Sequence, residues 1–297
     1  MDHAWRSIRR PAVGCGPAGP EPVPRGHDHS PVTSTDVRLE KAQYSERTAR
    51  ALGPPTVSAV FRAMAGKSQI PAALHPDHCQ SLEFAEECLR SSWQSVLYDA
   101  SGQPYEIGLD ATSRLVGTAR KLGADIEGEF ETIGRAAIPD RTPPHGIGRC
   151  VEFIEKTDIS CFSPDIGTQH GDCPNPPEID TRKLAGISEA ADVPLVVHGA
   201  SGLAPERLAR LATSAELGVG KVNFSTTLKH AHWAATVAFA SGTGQGATDP
   251  LQLHHGVREL VSGHAVRCIE TVNSAGRAHG RLRVRPQSRP ARLRDQG

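Results

Sequence analysis

The segment PLVVHGASG, residues 194–202, carries the pattern on which the fold prediction rests. Its apolar run ends at His198, and Gly199 and Gly202 follow closely. A short apolar run bounded by glycine is typical of a fully buried strand, and the strands of parallel sheets are read as such continuous runs. The segment therefore predicts a strand that carries a histidine and a glycine-rich loop at its carboxyl end.

Similar apolar runs recur along the chain and alternate with amphipathic stretches. Six strands are predicted, at residues 70–75, 95–99, 124–130, 159–166, 194–198 and 219–224. Helices are predicted at residues 81–89, 180–191 and 205–217, with Ser81 and Asp180 as capping residues and Gly218 placed to end the third helix. Repeated β/α units about 30 residues long predict an α/β fold, a (β/α)8 TIM barrel. The two strands still needed would have to come from the first 54 residues, where only residues 11–14 resemble a strand.

Composition divides the chain into three parts. Residues 1–54 are rich in Pro, Gly and Arg and lack helical or strand periodicity, which indicates a diverged or disordered N-terminal segment. Residues 55–278 carry the barrel pattern. Residues 279–297 are basic, with few apolar side chains, and are predicted to form a disordered tail.

Bulk composition argues against several classes of function. The 33 basic and 33 acidic residues balance, so neither nucleic acid nor an anionic membrane is an expected partner. The seven cysteines form no CxxC pair, which argues against a disulfide framework and indicates reduced thiols. No run reaches the ~20 apolar residues of a membrane-spanning helix, and no apolar signal-peptide core is present. We therefore expect a cytoplasmic protein with a small-molecule partner.

Three histidines, His78, His170 and His198, each follow a predicted strand. The carboxyl ends of the strands in a parallel barrel share one face, where active sites lie. Three converging imidazoles can hold zinc and leave one coordination position open for substrate. A single histidine at a strand end is more often structural, but three at successive ends favour a metal site. Asp77, directly before His78, could exchange a proton with bound substrate or could simply cap the following segment.

Glycine-rich segments surround the second and third histidines, at residues 166–171 (IGTQHG) and 198–202 (HGASG). Backbone N–H groups in such turns can bind phosphate. Glycine-rich turns are common, so the pattern by itself leaves a phosphate site and a plain turn equally open.

Six ordered motifs, LHPDH, VLYDAS, IEGEF, IGTQHG, VVHGASG and KVNFST, resemble the strand-end motifs of class II, zinc-dependent ketose-bisphosphate aldolases. The resemblance implies Zn²⁺ as cofactor, with His78, His170 and His198 as ligands. It implies Asp77 as the catalytic acid/base.

By the same resemblance, Asp99 and Glu129 match carboxylates that orient the site or offer a second metal position. A hydrogen-bonded structural pair is the alternative. The segments that match the binding site for the dihydroxyacetone phosphate half contain Gly171, Gly199, Ala200, Ser201, Asn223, Phe224, Ser225 and Thr226.

The activity implied by the resemblance is reversible aldol cleavage of a ketose 1,6-bisphosphate, fructose or tagatose, into dihydroxyacetone phosphate and glyceraldehyde 3-phosphate. Such an enzyme would serve carbohydrate metabolism such as glycolysis. Zinc would act as a Lewis acid on the open-chain sugar, while Asp77 removes the C4 hydroxyl proton as the C3–C4 bond breaks. The resemblance also implies a homo-oligomer, either a dimer or a tetramer.

Three other hypotheses remain open. The family's glutamate-bearing loop has no clear counterpart in residues 134–140, so the chain could be a degenerate barrel that binds zinc or sugar phosphate without turnover. Lys221 on the last predicted strand could support a Schiff-base aldolase that is indifferent to chelators. A metal-dependent hydrolase barrel would need a His-x-His pair on its first strand, whereas that spacing occurs at His27 and His29.

Overall fold

Parallel strands alternate with helices through the described part of the computed structural model, which comprises residues 40–68, 71–135, 143–173, 178–242 and 249–276. The strands in these ranges are β1 Glu40–Ser45, β2 Ala72–Asp77, β3 Ser95–Asp99, β4 Asp125–Glu129, β5 Gly134–Arg135, β6 Cys161–Phe162, β7 Gln169–His170, β8 Leu195–Val197 and β9 Val219–Val222. The α-helices are α1 Glu46–Leu52, α2 Pro54–Ala65, α3 Leu82–Arg90, α4 Tyr105–Leu122, α5 Ile147–Thr157, α6 Thr181–Ala190, α7 Pro205–Thr213, α8 Thr226–Ala240 and α9 Pro250–Thr271.

The main strands follow one another around a single core. Strand β1 pairs with β2, and a second sheet has the order β3-β4-β6-β8-β9, all pairs being parallel. Cys79, just beyond β2, forms a parallel bridge with Tyr98 of β3 and joins the two sheets. The side chain of Gln43 in β1 hydrogen-bonds Asn223, directly after β9, so the first and last strands approach each other. This α/β arrangement is a TIM barrel, as predicted, and its described ranges contribute seven parallel barrel strands.

Strand β1 and helix α1 lie within residues 1–54, where the only strand expected from the sequence was at residues 11–14. The latter residues lie outside the described ranges. The sequence of β1, EKAQYS, is mostly polar and therefore lacks the apolar run that marks the other strands. Tyr44 nevertheless is buried and packs edge-on against Trp93, with ring centroids 6.0 Å apart. Its burial anchors β1 to the core, and the remaining division into N-terminal segment, barrel and tail stays a prediction.

Other elements agree with the expectation to different degrees. Strand β3 occupies the predicted residues 95–99, whereas only Cys161–Phe162 of the predicted residues 159–166 form a strand. The side chains of Ser81 and Asp180 cap α3 and α6 by accepting hydrogen bonds from Phe84 N and Lys183 N, as the capping pattern indicates. The predicted third helix divides into α7 and a 3-10 turn, Ala215–Leu217, that ends at Gly218 with a positive φ of 64°.

The hydrophobic core fills the space between the strands and the surrounding helices. Four aromatic rings pack in contact between β4, α4, α5 and β6, and they belong to Tyr105, Phe130, Phe153 and Phe162. Charged side chains, among them Glu127 and Glu129 of β4, are buried inside the barrel. Among the described helices none is both long enough and apolar enough to span a membrane.

Candidate metal centre

The three predicted zinc ligands come together at the carboxyl ends of the strands. The ring centroids of His78 and His170 are 4.9 Å apart, those of His78 and His198 are 4.8 Å apart, and those of His170 and His198 are 5.7 Å apart. Each ring offers a nitrogen within 4.8 Å of the others. Three imidazoles so close together could hold a metal ion, and three histidine ligands are one of the donor sets of catalytic zinc sites.

The backbone at the first of these histidines is locally strained. Strand β2 ends at Asp77, and His78 adopts a positive φ of 49°. Few residues other than glycine adopt this conformation, and such strain is concentrated at functional sites. It turns the His78 ring out of the strand direction towards the other two histidines. Its Nε2 is buried and has no hydrogen-bond partner among the described residues, as expected of an atom that fits a metal ion.

Asp99 and Glu129, the two further predicted metal residues, lie on the other side of His78. The Nδ1 atom of His78 is 3.5 Å from Asp99 Oδ2 and 3.6 Å from Glu129 Oε1. The three side chains form a second group whose donor atoms lie within 4.8 Å of one another. Asp99 Oδ1 also accepts hydrogen bonds from Ser101 N and Ser101 Oγ, at 3.0 and 2.6 Å. The site can therefore offer two overlapping donor sets that share His78.

The electrostatics of this group favour a cation. Burial lowers the pKa of His78, but the negative charges of Glu129, Asp77 and Asp99 outweigh it and raise that pKa to about 10. Burial raises the pKa of Asp99, but hydrogen bonds from His78 and Ser101 bring it down to about 2. Burial holds the pKa of Glu129 well above its usual range, despite the attraction of His78. The negative charges of Asp99 and Asp77 therefore stabilise a positive charge at His78, whereas burial favours the neutral carboxyl form of Glu129.

Asp77, the predicted acid/base, is linked to the third histidine through Asn223. The Nδ2 of Asn223 donates to Asp77 Oδ1 at 3.4 Å and lies 3.0 Å from His198 Nε2. The Oδ1 of Asn223 accepts from Gln43 Nε2 at 2.9 Å. The resemblance matched Asn223 to the binding site for dihydroxyacetone phosphate, and in this structure it also contacts Asp77, the predicted acid/base, and His198, a predicted metal ligand.

The predicted phosphate-binding segments are neighbours in the structure. Ser225 N donates to Ser201 Oγ at 3.3 Å, which joins the loop after β9 to the 3-10 turn Ala200–Gly202. A Cβ atom on Gly202 would lie 4.0 Å from the carbonyl oxygen of Gly171, so the loop after β7 also borders this place. Thr226 begins α8, which contacts the turn Ala200–Gly202. The three segments are therefore neighbours, and backbone N–H groups at glycine-rich turns and helix N-termini are the kind of groups that bind anions.

A sequence profile described as "Fructose-bisphosphate aldolase class-II" matches residues 40–277. The chain belongs to this family. It is 30% identical over 190 residues to a probable fructose-bisphosphate aldolase of Bacillus subtilis (strain 168), covering 61% of this chain and 65% of that protein. It is 28% identical over 213 residues to the 6-phospho-5-dehydro-2-deoxy-D-gluconate aldolase of Shouchella clausii (strain KSM-K16), covering 71% of each.

A solved structure agrees with this membership of the class II aldolase family. The crystal structure of the YdjI aldolase from Escherichia coli K12 superposes with a TM-score of 0.67 at 26% sequence identity, covering 82% of this chain and 85% of that one. The match begins with β1, so β1 belongs to the part of the chain shared with the family.

Sequence reasoning missed a group of charged residues that contacts the candidate metal centre at His198. Glu127 Oε1 is 2.9 Å from His198 Nε2, and Lys221 Nζ donates to Glu127 Oε2 at 2.5 Å. Burial raises the pKa of Glu127, but Lys221, His198 and His75 hold it well below its usual range. The available signal was the spacing of Glu127 and Glu129, because charged residues at i and i+2 of a buried strand point to the same face.

Three other predictions from the sequence concern Lys221, the segment 134–140 and the pair His27 and His29. Lys221, the alternative Schiff-base residue, is ion-paired with Glu127 and only 14% exposed. In the segment 134–140, Gly134–Arg135 form β5 and pair with β7. Residues 136–140, including Asp140, lie outside the described ranges, as do His27 and His29.

Proposed function

We propose that this member of the class II aldolase family is a zinc-dependent enzyme that cleaves a ketose 1,6-bisphosphate by a reversible aldol reaction. The observation that carries the proposal is the convergence of His78, His170 and His198 beside Asp77. The products would be dihydroxyacetone phosphate and glyceraldehyde 3-phosphate. The family membership supports the lyase class, and the histidine cluster supports the metal.

Zinc bound by the three histidines would supply Lewis-acid polarisation of the substrate carbonyl. Asp99 and Glu129 surround His78 and would orient its ring or accept a second metal position. Asn223 would hold Asp77 in place by donating from Nδ2 to its carboxylate, with the same amide packed against the His198 ring.

Asp77 would act as the acid/base of the bond-breaking step. Its carboxylate removes the proton of the C4 hydroxyl, a carbonyl forms at C4, and the electron pair of the C3–C4 bond moves towards the C2 carbonyl. In the direction of synthesis, the protonated Asp77 returns the proton to the C4 oxygen. A correctly placed general acid or base contributes about 10²–10⁴-fold in rate.

The non-reacting phosphate would position the substrate. The segments around Gly171, Gly199 to Ser201, and Asn223 to Thr226 would bind the phosphate and hydroxyls of the dihydroxyacetone phosphate half. These contacts, remote from the breaking bond, would place C4 of the substrate beside Asp77. They would thereby lower the entropic part of the activation free energy of cleavage.

Several finer points belong to the same proposal. Fructose and tagatose 1,6-bisphosphate are the candidate substrates, while the names of the relatives show that related proteins act on more than one sugar acid or sugar phosphate. We propose a homo-oligomer, dimer or tetramer, in the cytoplasm. Gel filtration with light scattering and cell fractionation test these two points.

A degenerate barrel that binds zinc or sugar phosphate without turnover is the second candidate. The observation that favours it is the sequence of residues 134–140, GRAAIPD, which contains no glutamate to deliver a proton to C3 and offers only Asp140 as an acid.

One experiment separates the two candidates. Zinc is measured in the purified protein, and release of triose phosphate from fructose and from tagatose 1,6-bisphosphate is followed with and without EDTA. Stoichiometric zinc with EDTA-sensitive cleavage supports the aldolase. Bound zinc with no cleavage of either sugar supports the degenerate barrel, and a protein without zinc contradicts both metal-based proposals.

A further inference from the structure

Glu127 lies one layer below the metal centre in the barrel interior. It precedes Glu129 by two residues on β4, so both side chains point to the same face of the strand. The side chain of Glu127 has no solvent exposure, and that of His198 is 1% exposed. The two are joined by a hydrogen bond of 2.9 Å between Glu127 Oε1 and His198 Nε2.

The second oxygen of Glu127 is held by a partly buried cation. Lys221 Nζ donates to Glu127 Oε2 and also lies 3.3 Å from His75 Nε2. His75 in turn forms a hydrogen bond of 2.9 Å between its Nδ1 and Ser95 Oγ. Four strands, β2, β3, β4 and β9, therefore contribute to one polar cluster that reaches the metal centre at His198.

A polar cluster of this kind is unusual in the interior of a barrel, which is normally filled by branched apolar side chains. A buried ion pair is weak evidence for stability, since apolar residues of similar volume often stabilise a fold equally well. A role for the cluster in orienting a functional group therefore explains its presence better than stability does. The group that it contacts is His198.

We propose that Glu127 is a positioning residue that fixes the ring orientation and tautomer of His198 for metal binding, and that Lys221 holds Glu127 in place. This inference rests on the zinc site of the proposed function. An ionised carboxylate only accepts hydrogen bonds, so its contact assigns the proton to His198 Nε2 and leaves the lone pair on Nδ1. Carboxylates that accept from the second nitrogen of a ligand histidine set ring orientation and ligand basicity in metal sites.

The proposal also gives Lys221 a role other than covalent catalysis. A Schiff-base lysine reacts as a neutral amine, and its pKa is lowered by a desolvated or cationic environment. Lys221 instead donates a hydrogen bond directly to the carboxylate of Glu127, at 2.5 Å. Its amine is therefore engaged with Glu127.

The test compares two double variants that differ only in hydrogen bonding at position 127. Glu127→Met/Lys221→Met removes the acceptor, while Glu127→Gln/Lys221→Met keeps a neutral acceptor of the same shape. Both remove the partly buried cation together with its partner, so neither leaves an uncompensated charge inside the barrel. Zinc affinity is measured by competition with a chromophoric chelator, and folding is followed by thermal unfolding of the metal-free protein.

The control is a second lysine–glutamate pair in the described part of the barrel. Lys183 Nζ is 2.7 Å from Glu131 Oε1, and the two side chains are 5% and 1% exposed. Among the described residues, Glu131 accepts hydrogen bonds from Lys183, from Cys150 and from the backbone of His145 and Asp165, and none of these partners is one of the three histidines. Glu131→Gln/Lys183→Met therefore measures the effect of removing a buried pair without touching His198.

We expect zinc affinity of the methionine variant to fall about 10–100-fold below that of the wild type. The glutamine variant should recover part of that loss. The zinc affinity of the control should lie within about two-fold of the wild-type affinity, a difference well below the expected effect. Equal zinc affinity of the methionine variant and the wild type would overturn the inference, as would an equal loss in the control. Because binding is measured without turnover, a wild type that binds zinc but cleaves no sugar would overturn the aldolase activity and leave this inference standing.

Discussion

The side-chain amide of Gln43 donates a hydrogen bond of 2.9 Å to Oδ1 of Asn223, which lies 180 residues further along the chain. Gln43 belongs to the first strand, and Asn223 directly follows the last. The same Asn223 contacts Asp77 and His198 through its Nδ2. The Asn223 side chain therefore links the first and last strands to Asp77, the proposed acid/base, and to His198, a proposed metal ligand.

We expect Gln43→Ala to lower the free energy of unfolding by about 1 kcal/mol, since a partly buried neutral hydrogen bond contributes that amount. It should also reduce kcat, because Asn223 loses the bond that fixes its amide. Urea unfolding and steady-state kinetics measure the two effects. Gln103→Ala, which removes a hydrogen bond of 3.0 Å to the Tyr98 hydroxyl, is the control that should change stability and leave kcat unaffected.

Asp77→Asn should abolish most turnover and preserve the metal. Loss of a general base lowers kcat by about 10²–10⁴-fold, while the three histidines remain in place. Zinc analysis and coupled triose phosphate release give the two readouts. Asp110→Asn, on the exposed side of α4, is the matched control and should match the wild type in both. A strong loss of zinc in Asp77→Asn would show that Asp77 supports the metal site instead of the proton transfer.

Glu46→Gln should destabilise the protein at neutral pH and have less effect in acid. Glu46 Oε2 accepts from Gln80 N at 2.7 Å, and its Oε1 pairs with Arg50. Burial raises the pKa of Glu46, but these contacts lower it below its ordinary value of 4.5. A lowered pKa contributes stability above that value, and the contribution is lost as the pH falls through the folded-state pKa.

The substitution should therefore lower the free energy of unfolding by about 1 kcal/mol at pH 7. This value already allows for the partial exposure of the carboxylate to solvent. The difference from the wild type should shrink as the pH falls below 4.5. Urea unfolding at several pH values measures it. A difference that is constant down to the acid transition would contradict a role for the contacts of Glu46 with Arg50 and Gln80 N.

Glu131→Gln should be more harmful than the double variant Glu131→Gln/Lys183→Met. The single change leaves the Lys183 ammonium buried without its carboxylate, and breaking a buried pair in this way costs about 3–5 kcal/mol. The double change removes the stranded charge as well. Denaturant unfolding of the two variants gives the comparison, and a double variant less stable than the single one would contradict it.

Gly199→Ala should disrupt the metal centre through the backbone. Gly199 has a positive φ of 70°, and a Cβ atom there would lie 2.6 Å from the carbonyl oxygen of Gln169, next to His170. Strain of this kind costs about 1–3 kcal/mol, and the displaced strand would carry His170 away from His198. We expect a lower melting temperature together with weaker zinc binding.

The control for this substitution is Gly123→Ala. Gly123 has a similar positive φ of 68°, but no atom lies within 4 Å of the position of its Cβ. It ends α4, away from the histidines, so it should lower stability and leave zinc affinity unchanged. If both variants lost zinc equally, the effect would come from general destabilisation.

Local patterns in the sequence were sufficient for much of the fold. The apolar run of β3 and the capping residues Ser81 and Asp180 were read correctly because each depends on neighbours within a few positions. Strand β1 was missed because its sequence is polar, and tertiary contacts such as its pairing with β2 and the packing of Tyr44 on Trp93 stabilise it. Strand pairing depends on tertiary context, so a polar strand leaves little local signal.

The candidate site divides in the same way. By itself the sequence determined which strand ends carry His78, His170 and His198 and that Asp77 precedes the first of them, because strand direction places those ends on one face. Only the tertiary structure decided that Glu127 contacts His198 and that Lys221, 94 residues away, neutralises Glu127. The physical reason is that hydrogen bonds and ion pairs act over a few ångströms in space, and the sequence records which groups exist but not which of them the barrel brings within that distance.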